Sequence, residues 1–383
     1  MSEYQYYEFT AVDRPLTTRE QAELRSLSTR ADITATSFVN TYQWGDFKGD
    51  LRKLMERYFD AHLYLANWGT RQLMLRLPKH VLDPATVADY CVGDSASAWT
   101  AGRHVIVCLH REDEDGTDEW DLDGRGLLAS IIPARAGLAA GDLRLLYLGW
   151  LRCVQSLELA DDEPEPPVPA GMGTLDAPLT AAAEFLCIDP DLLAAAAAGS
   201  AQPAADEPTA AQLRTWVVRL PAREKDTILT GLITGVDSHL RSQLLHRYRD
   251  EQTTDASTTA ASRTAGELLV AAADLRAERE RRDAEQRERD RIRRERSAVA
   301  ARQRHLDALA VDQPGAWQQV NELIDTKKPR EYDTAVQLLV DLRDLGERDG
   351  GTAPFRQRLA ELRTVHARKP SLLERLELAG LDV

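Results

Sequence analysis

The stretch from Thr264 to Val311 constrains the chain most, because its residue types and spacing are those of one long helix. Thr264 and Glu267 stand three apart before Leu268 and Leu269. That is the spacing of a capping box, in which each side chain serves the other residue's backbone N–H. Leu268, Leu269 and Leu275 give the first turns an apolar side, and from Arg276 to Arg291 no large apolar residue follows. Acid precedes base by four residues at Glu278/Arg282, Asp283/Arg287, Glu285/Arg289 and Asp290/Arg294. Each such pair contributes ~0.3 kcal/mol to a helix in this orientation. Ile292, Val299, Leu306 and Leu309 then restore an apolar side. At 1.5 Å per residue the element spans roughly 70 Å. A helix polar all round bridges solvent between packed regions or is not stable alone. A protruding, solvated spacer is the favoured reading. A coiled-coil strand fits less well, because the apolar seam fails for two heptads. A nucleic-acid surface is the third.

Charge weighs on that third reading. The chain has 383 residues and a net charge of -14. Arg276 to Arg304 holds twelve Arg and seven Asp or Glu, a local +5, so the remainder carries -19. That excess repels a phosphate backbone as main partner. At 43% hydrophobic residues the chain builds real cores, and its length suggests two or three domains. Cys91, Cys108, Cys153 and Cys187 are widely spaced, with neither a CxxC pair nor a disulfide framework. A polar, acidic N-terminus and the lack of a long apolar run lead to the expectation of a cytoplasmic protein with no membrane partner.

Upstream of the helix the pattern is mixed. Tyr4–Val12 reads as a strand, aromatic on both faces and so buried on both. Thr17 with Glu20, or Thr18 with Gln21, caps a helix over Arg19–Ser28. Ile33–Tyr42 reads as strand, Leu51–Tyr58 as helix, and His62–Ala66 with Gln72–Leu77 as a hairpin around Asn67–Thr70. In its second arm Leu73, Leu75 and Leu77 share one face, and Gln72, Met74 and Arg76 the other. A short helix from Pro84 to Tyr90, a strand over Arg103–His110 and helices over Leu127–Ile132 and Leu143–Leu157 follow. The expected class is an α+β N-terminal domain, its helices mainly on one side of the sheet, followed by an all-α C-terminal region with one long charged helix. The expected divisions are residues 1–159, a Pro-rich linker over 160–180, a helical domain over 181–250, the long helix over 264–311 and a C-terminal helical domain over 312–383. Gly199–Pro208 and Glu251–Arg263 read as further linkers. The last helices run from Pro314 to Ile324, Tyr332 to Leu345, Phe355 to Val365 and Ser371 to Leu378, with Gly380 as a stop signal.

Chemical motifs are weak. Gly124–Ala129 fits G-x-G-x-x-A by letter, but the acidic Trp120-Asp121-Leu122-Asp123 precedes it where a dinucleotide site needs an apolar strand. The carboxylate-rich Glu112–Asp123 fails the calcium-loop spacing at its ends. His104, Cys108 and His110 share a strand face, yet residues four apart on a strand are ~13 Å apart, too far for one zinc ion. No cofactor and no metal is expected. The distinctive chemistry lies in two loops, Trp44–Asp50 and Trp68–Arg71. Their tryptophans either cover the sheet edge or, beside charged residues, suit recognition. The expected partner-binding residues are Trp44, Asp46, Phe47, Lys48, Trp68 and Arg71.

Several phrases carry a resemblance. Ser37–Asp50, Ala66–Thr70, Phe185–Ala194 and His366–Leu373 together resemble a family of uncharacterised bacterial proteins over most of the chain. The last phrase is also similar to the tails of some bacterial SWIM zinc-finger proteins, whose zinc ligands are absent here. The resemblance implies a bacterial cytoplasmic protein and supplies no activity. The expectation is therefore a non-enzymatic interaction or adaptor protein with a protein partner. One alternative is an enzyme whose site lies at the two tryptophan loops. The other is a weak, sequence-independent nucleic-acid-associated factor.

Overall fold

A computed structural model describes residues 4–112, 123–202, 208–234 and 263–381, with residues 240, 244, 245, 247, 248 and 251 between the last two. Most of the expected acidic loop at 112–123, part of the 199–208 linker and most of the 251–263 hinge lie outside the described residues. Packing divides the chain into two compact units, Met1–Arg279 and Glu280–Val383.

The first unit is organised by a seven-stranded, wholly antiparallel sheet. Its strands are β1 (Gln5–Thr10), β2 (Asp32–Ile33), β3 (Ser37–Tyr42), β4 (Ala61–Ala66), β5 (Arg71–Pro78), β6 (Ala96–Ala101) and β7 (His104–Arg111), in the order β2-β3-β1-β4-β5-β7-β6. Both faces are buried, because successive side chains alternate between them. Leu63, Leu65, Leu73, Leu75, Leu77, Val105, Val107 and Leu109 face one core. Phe9, Phe38, Met74, Ile106 and Cys108 face the other. Full burial of each Leu stabilises the fold by roughly 1.5–3 kcal/mol. Helices α4 (Leu127–Ala139), α5 (Arg144–Gln155), α6 (Ala177–Phe185) and α7 (Pro190–Ala198) build the first core. The second is closed by α1 (Thr18–Leu27) and α2 (Leu51–Arg57). Thr17 and Glu20 form the capping box of α1, and in Arg71–Pro78 Leu73, Leu75 and Leu77 face the first core and Met74 the second.

The structure differs from the expected elements in four places. Ile33–Tyr42 is two strands, β2 and β3, because the Thr34 hydroxyl turns the chain by accepting from the N–H of Thr36 at 3.1 Å and of Ser37 at 3.0 Å. Strand β6 is additional to those expected. Helix α4 continues through Pro133 to Ala139, where Ala134 and Leu138 extend its buried side. The expected linker at 160–180 is packed rather than free. Glu165 is buried, accepts from Arg263 Nε and Nη2 at 2.8 Å each, and receives the Tyr147 hydroxyl. Met172 is buried, and Tyr90 Oη donates to the Pro167 carbonyl at 2.7 Å. For the same reason residues 177–198 belong to the core of the sheet, and no domain boundary falls near residue 160. The short helix α3 (Pro84–Ala88) and helices α8 (Ala210–Arg219) and α9 (Ala222–Thr234) also belong to this unit.

Helix α10 spans Ala265–Val311, and the boundary between the units falls within it. Its capping box is present: the Thr264 N–H donates to Glu267 Oε2 at 3.0 Å, and the Glu267 N–H to Thr264 Oγ1 at 3.3 Å. Ala265, Leu268 and Ala272 enter the first core. Arg276 pairs with Asp189, and Arg279 with Asp191 at 2.8 Å. From Arg279 to Ala301 every side chain except that of Asp290 is exposed.

The second unit consists of the rest of α10 with α11 (Gln313–Asp325), α12 (Pro329–Arg348), α13 (Thr352–Val365) and α14 (Pro370–Leu378). Tyr332, Ala335, Val336, Leu339 and Leu342 recur at helical spacing on α12 and pack against Trp317, Val320, Phe355, Leu359 and Leu372. Buried Asp341 of α12 receives Arg302 and His305 of α10, the latter at 2.7 Å from Nε2. Gly380 adopts φ +64° after α14, the left-handed turn a helix stop requires. Among the described residues no helix is long and apolar enough to cross a membrane.

Candidate functional site

The two tryptophan loops leave the same end of the sheet. Gln5 at the start of β1 lies opposite both Tyr42 and Ala66, the last residues of β3 and β4. The loops therefore begin two strand spacings apart, roughly 10 Å.

The first loop joins β3 to α2 and is pinned at three points. Gln5 Nε2 donates to the Gly45 carbonyl at 3.2 Å and to Asp46 Oδ1 at 3.1 Å. Phe47 inserts among Tyr7, Phe38 and Phe9, with ring centroids 5.3, 5.6 and 6.4 Å away. Asp50 caps α2 by accepting from the Lys53 N–H at 3.1 Å. Gly49 is required by the seat of Phe47, since a Cβ there would lie 2.4 Å from that ring. What the pinned loop presents outward is Trp44, 66% exposed, with the Arg30 guanidinium 5.7 Å from its ring. Asp46 and Lys48 are exposed beside it.

The second loop is a tight hairpin. Gly69 adopts φ +93°, its N–H donates to the Ala66 carbonyl at 3.1 Å, and the Ala66 N–H to that of Thr70 at 2.9 Å. Asn67 fixes it to β1 through Tyr4, donating from its N–H at 3.0 Å and accepting at Oδ1 at 2.9 Å. Trp68 is half-buried at its tip. Arg71 is not a surface residue: it is buried and donates from Nη1 to the carbonyls of Phe185 at 3.2 Å and Glu184 at 3.4 Å. It completes the C-terminus of α6, where orphan carbonyls attract a cation. The structure thus gathers Trp44, Asp46, Phe47 and Lys48 in one loop and Trp68 in the neighbouring hairpin. It assigns Phe47 to anchoring and Arg71 to the opposite core.

A buried histidine lies toward the other end of β4, opposite Phe9 of β1, and its surroundings are apolar. His62 stacks on Phe9 with centroids 3.9 Å apart, and its Nδ1 meets the Glu8 carbonyl at 2.9 Å. Burial pushes its pKa down to about 3, so the ring is neutral at physiological pH. No hydrogen bond joins it to Asp46 or Lys48 among the described residues. Gln5 instead links the loop to two hydroxyls, accepting at Oε1 from Tyr7 at 2.6 Å and from Tyr64 at 3.3 Å. Burial raises the pKa of both phenols, Tyr7 to about 12. Neutral phenols fixed on a neutral amide hold the loop in place.

The other motifs fall into structural roles. Gly124–Ala129 is a turn leading into α4, with Gly126 at φ +82°, and Asp123 accepts from the Arg125 N–H at 3.0 Å. That carboxylate puts a negative charge at the turn, where a pyrophosphate would meet like charge. Cys108 is buried in the second core while His104 and His110 sit at the ends of β7. Among the described residues no group of three His, Cys, Asp or Glu side chains could hold a metal ion. A cavity of about 320 Å³, lined by Lys79, His80, Asp83, Thr86, Leu138 and Arg247 among others, was not legible in the sequence. Its walls come from distant segments, and Arg247 is already paired with Glu224 and Glu251. No family model, curated protein or solved structure matches the chain.

Proposed function

We propose that the protein acts by binding another protein, as a non-enzymatic interaction or adaptor factor of the cytoplasm, and that Trp44 is the centre of the contact. One observation carries this reading: a tryptophan 66% exposed on a loop pinned at Gly45–Asp46, Phe47 and Asp50. Fixing the loop in advance lowers the entropy a partner must overcome. Tryptophan is among the residues that dominate binding energy when a partner covers them. Asp46 and Lys48 give the contact a charged rim, and Trp68 extends it across β1. Cytoplasmic residence follows the sequence expectation, in which the four widely spaced cysteines offer no disulfide framework of the kind secreted domains carry. A protein partner is favoured over nucleic acid because many α10 arginines are engaged along the helix, including Arg289 with Glu285, Arg291 with Glu288 and Glu295, and Arg293 with Asp290.

Quantitative capture from the native cell tests the proposal, comparing the full chain with its Trp44→Ala and Val218→Ala variants. Val218 is an exposed control on α8. A hot-spot tryptophan costs at least ~2 kcal/mol on truncation, roughly thirtyfold in affinity. Partners retained by wild type and Val218→Ala but lost with Trp44→Ala are expected. Identical retention by all three contradicts the reading.

A further inference from the structure

The two edges of the sheet are built differently. One is β2, only two residues long, which is one way proteins blunt an edge. The other is β6, which pairs with β7 along its whole length and, among the described residues, has no strand on its outer side. The His110 N–H donates to the Ser95 carbonyl at 2.8 Å. Hydrogen-bonded pairs recur at every second residue of an antiparallel ladder. Ser97, Trp99 and Ala101 therefore turn their backbone groups to β7, while Ala96, Ala98 and Thr100 turn theirs outward. The Ala96 carbonyl is taken by the Gly93 N–H at 3.2 Å. Ala98 and Thr100 are exposed, and among the described residues neither has a backbone partner on its outer side. Ala96-Ser97-Ala98-Trp99-Thr100-Ala101 contains no charge and no proline, and its register with β7 is unbroken by a bulge. None of these devices by which proteins protect an edge is present.

We propose that β6 is a strand-addition edge and that its occupant is a second copy of this chain, two β6 strands pairing antiparallel across a two-fold axis. The strand is self-complementary in one register. Ala98 opposite Thr100 of the second copy makes two hydrogen-bonded pairs, related by the axis, from the residues whose backbone groups point outward. The same register sets Trp99 opposite Trp99 of the second copy at a close, non-hydrogen-bonded position, where aromatic pairs are favourable. It also brings Asp94 of each copy to the Gly102–Arg103 turn of the other. Both Asp94 and Arg103 are exposed, so acid meets base at each end of the paired strands. That local complementarity offsets the repulsion between two chains of net charge -14. The edge lies across the sheet from the Trp44 loop, and the inference is independent of that loop's role.

Sedimentation velocity of the full chain over a wide concentration range tests it, together with hydrogen exchange at Ala98 and Thr100. A reversible dimer is expected, with both amides protected more strongly as concentration rises. Thr100→Lys adds a charge to the edge and Ala98→Pro removes an outward N–H. Ala98→Pro is expected to raise the dimer dissociation constant by roughly tenfold or more, through the loss of one backbone hydrogen bond at each of the two symmetry-related positions, and Thr100→Lys to raise it through the like charges it brings to the paired edge. Asp94→Arg should weaken the dimer, and Asp94→Arg with Arg103→Asp should restore it. A monomer at ~100 μM, where an association of only about −5.5 kcal/mol would already show, would overturn the proposal. So would a dimer whose Ala98 and Thr100 amides exchange independently of concentration, a reading that needs no variant to fold.

Discussion

Asp60 is the residue on which one corner of the sheet depends, and replacing it with alanine has a calculable cost. The carboxylate is fully buried. It accepts from the N–H groups of Val12 at 2.7 Å and Asp13 at 2.9 Å through Oδ2. Through Oδ1 it accepts from Arg76 Nη2 at 2.8 Å and Nε at 3.1 Å. Arg76 is buried in turn, and its carbonyl accepts from Arg135, whose guanidinium also grips Asp13 at 2.7 and 3.0 Å. Asp60→Ala strips the Arg76 guanidinium of its counter-charge in a low-dielectric site and orphans two backbone donors. Breaking one side of a buried pair typically costs about 3–5 kcal/mol, because the remaining charge stays buried. At roughly 2–4 °C per kcal/mol the melting temperature should fall by on the order of 10 °C. Thermal and urea unfolding of the full chain, followed by far-UV circular dichroism, measures this. The double variant Asp60→Leu/Arg76→Met removes both charges and should lose less than the two single variants together. A loss below ~1 kcal/mol for Asp60→Ala, or strict additivity in the double variant, refutes the reasoning.

Three further outcomes are expected. Gly49→Ala places a Cβ 2.4 Å from the Phe47 ring, so it should destabilise by about 1–3 kcal/mol and raise hydrogen exchange across Trp44–Asp50; unchanged exchange would mean that Phe47 does not pin the loop. His62 is held neutral by burial with its pKa near 3, whereas the unfolded chain takes up the proton near its ordinary value of 6.5. The unfolded state therefore binds more protons below that value, and stability is lost as pH is lowered from about 6.5 to 3, by several kcal/mol at most; His62→Gln should flatten that part of the profile, and an unaltered slope would exclude His62 as its source. Limited proteolysis of the native chain should show no early cleavage within residues 161–178, because Glu165, Met172 and the Pro167 carbonyl are engaged; a first cut there would contradict the packing.

Local signals carried much of the fold. The capping boxes at Thr17 and Thr264 and the alternation over Gln72–Leu77 are readable because donor and acceptor, or buried neighbours, lie within a few residues. The α+β region followed by helices follows from such periods. Strand β6 escaped because Ala96, Ser97, Ala98 and Ala101 are small, and an edge strand needs no large apolar alternation. Pro133 ends a helix by propensity, yet here the buried Ala134 and Leu138 carry α4 past it. Residues 161–178 have the composition of a linker, and what orders them is Glu165 meeting Arg263 almost a hundred positions away. The candidate site was legible only in part. Two tryptophan loops stand out by residue type, and the sheet places them at one end. The burial of Arg71 against the end of α6 depends on a helix more than a hundred residues downstream.

The central claim, that Trp44 is the contact for a protein partner, meets its most direct measurement in site-specific photo-crosslinking within the native cell. A photoreactive amino acid is placed at position 44, at position 68 in the neighbouring hairpin, and at position 218 on α8 as an exposed control. A discrete crosslinked species from position 44, shared with position 68 and absent from 218, is the predicted result. Crosslinks from position 44 no different from those at 218 would contradict it.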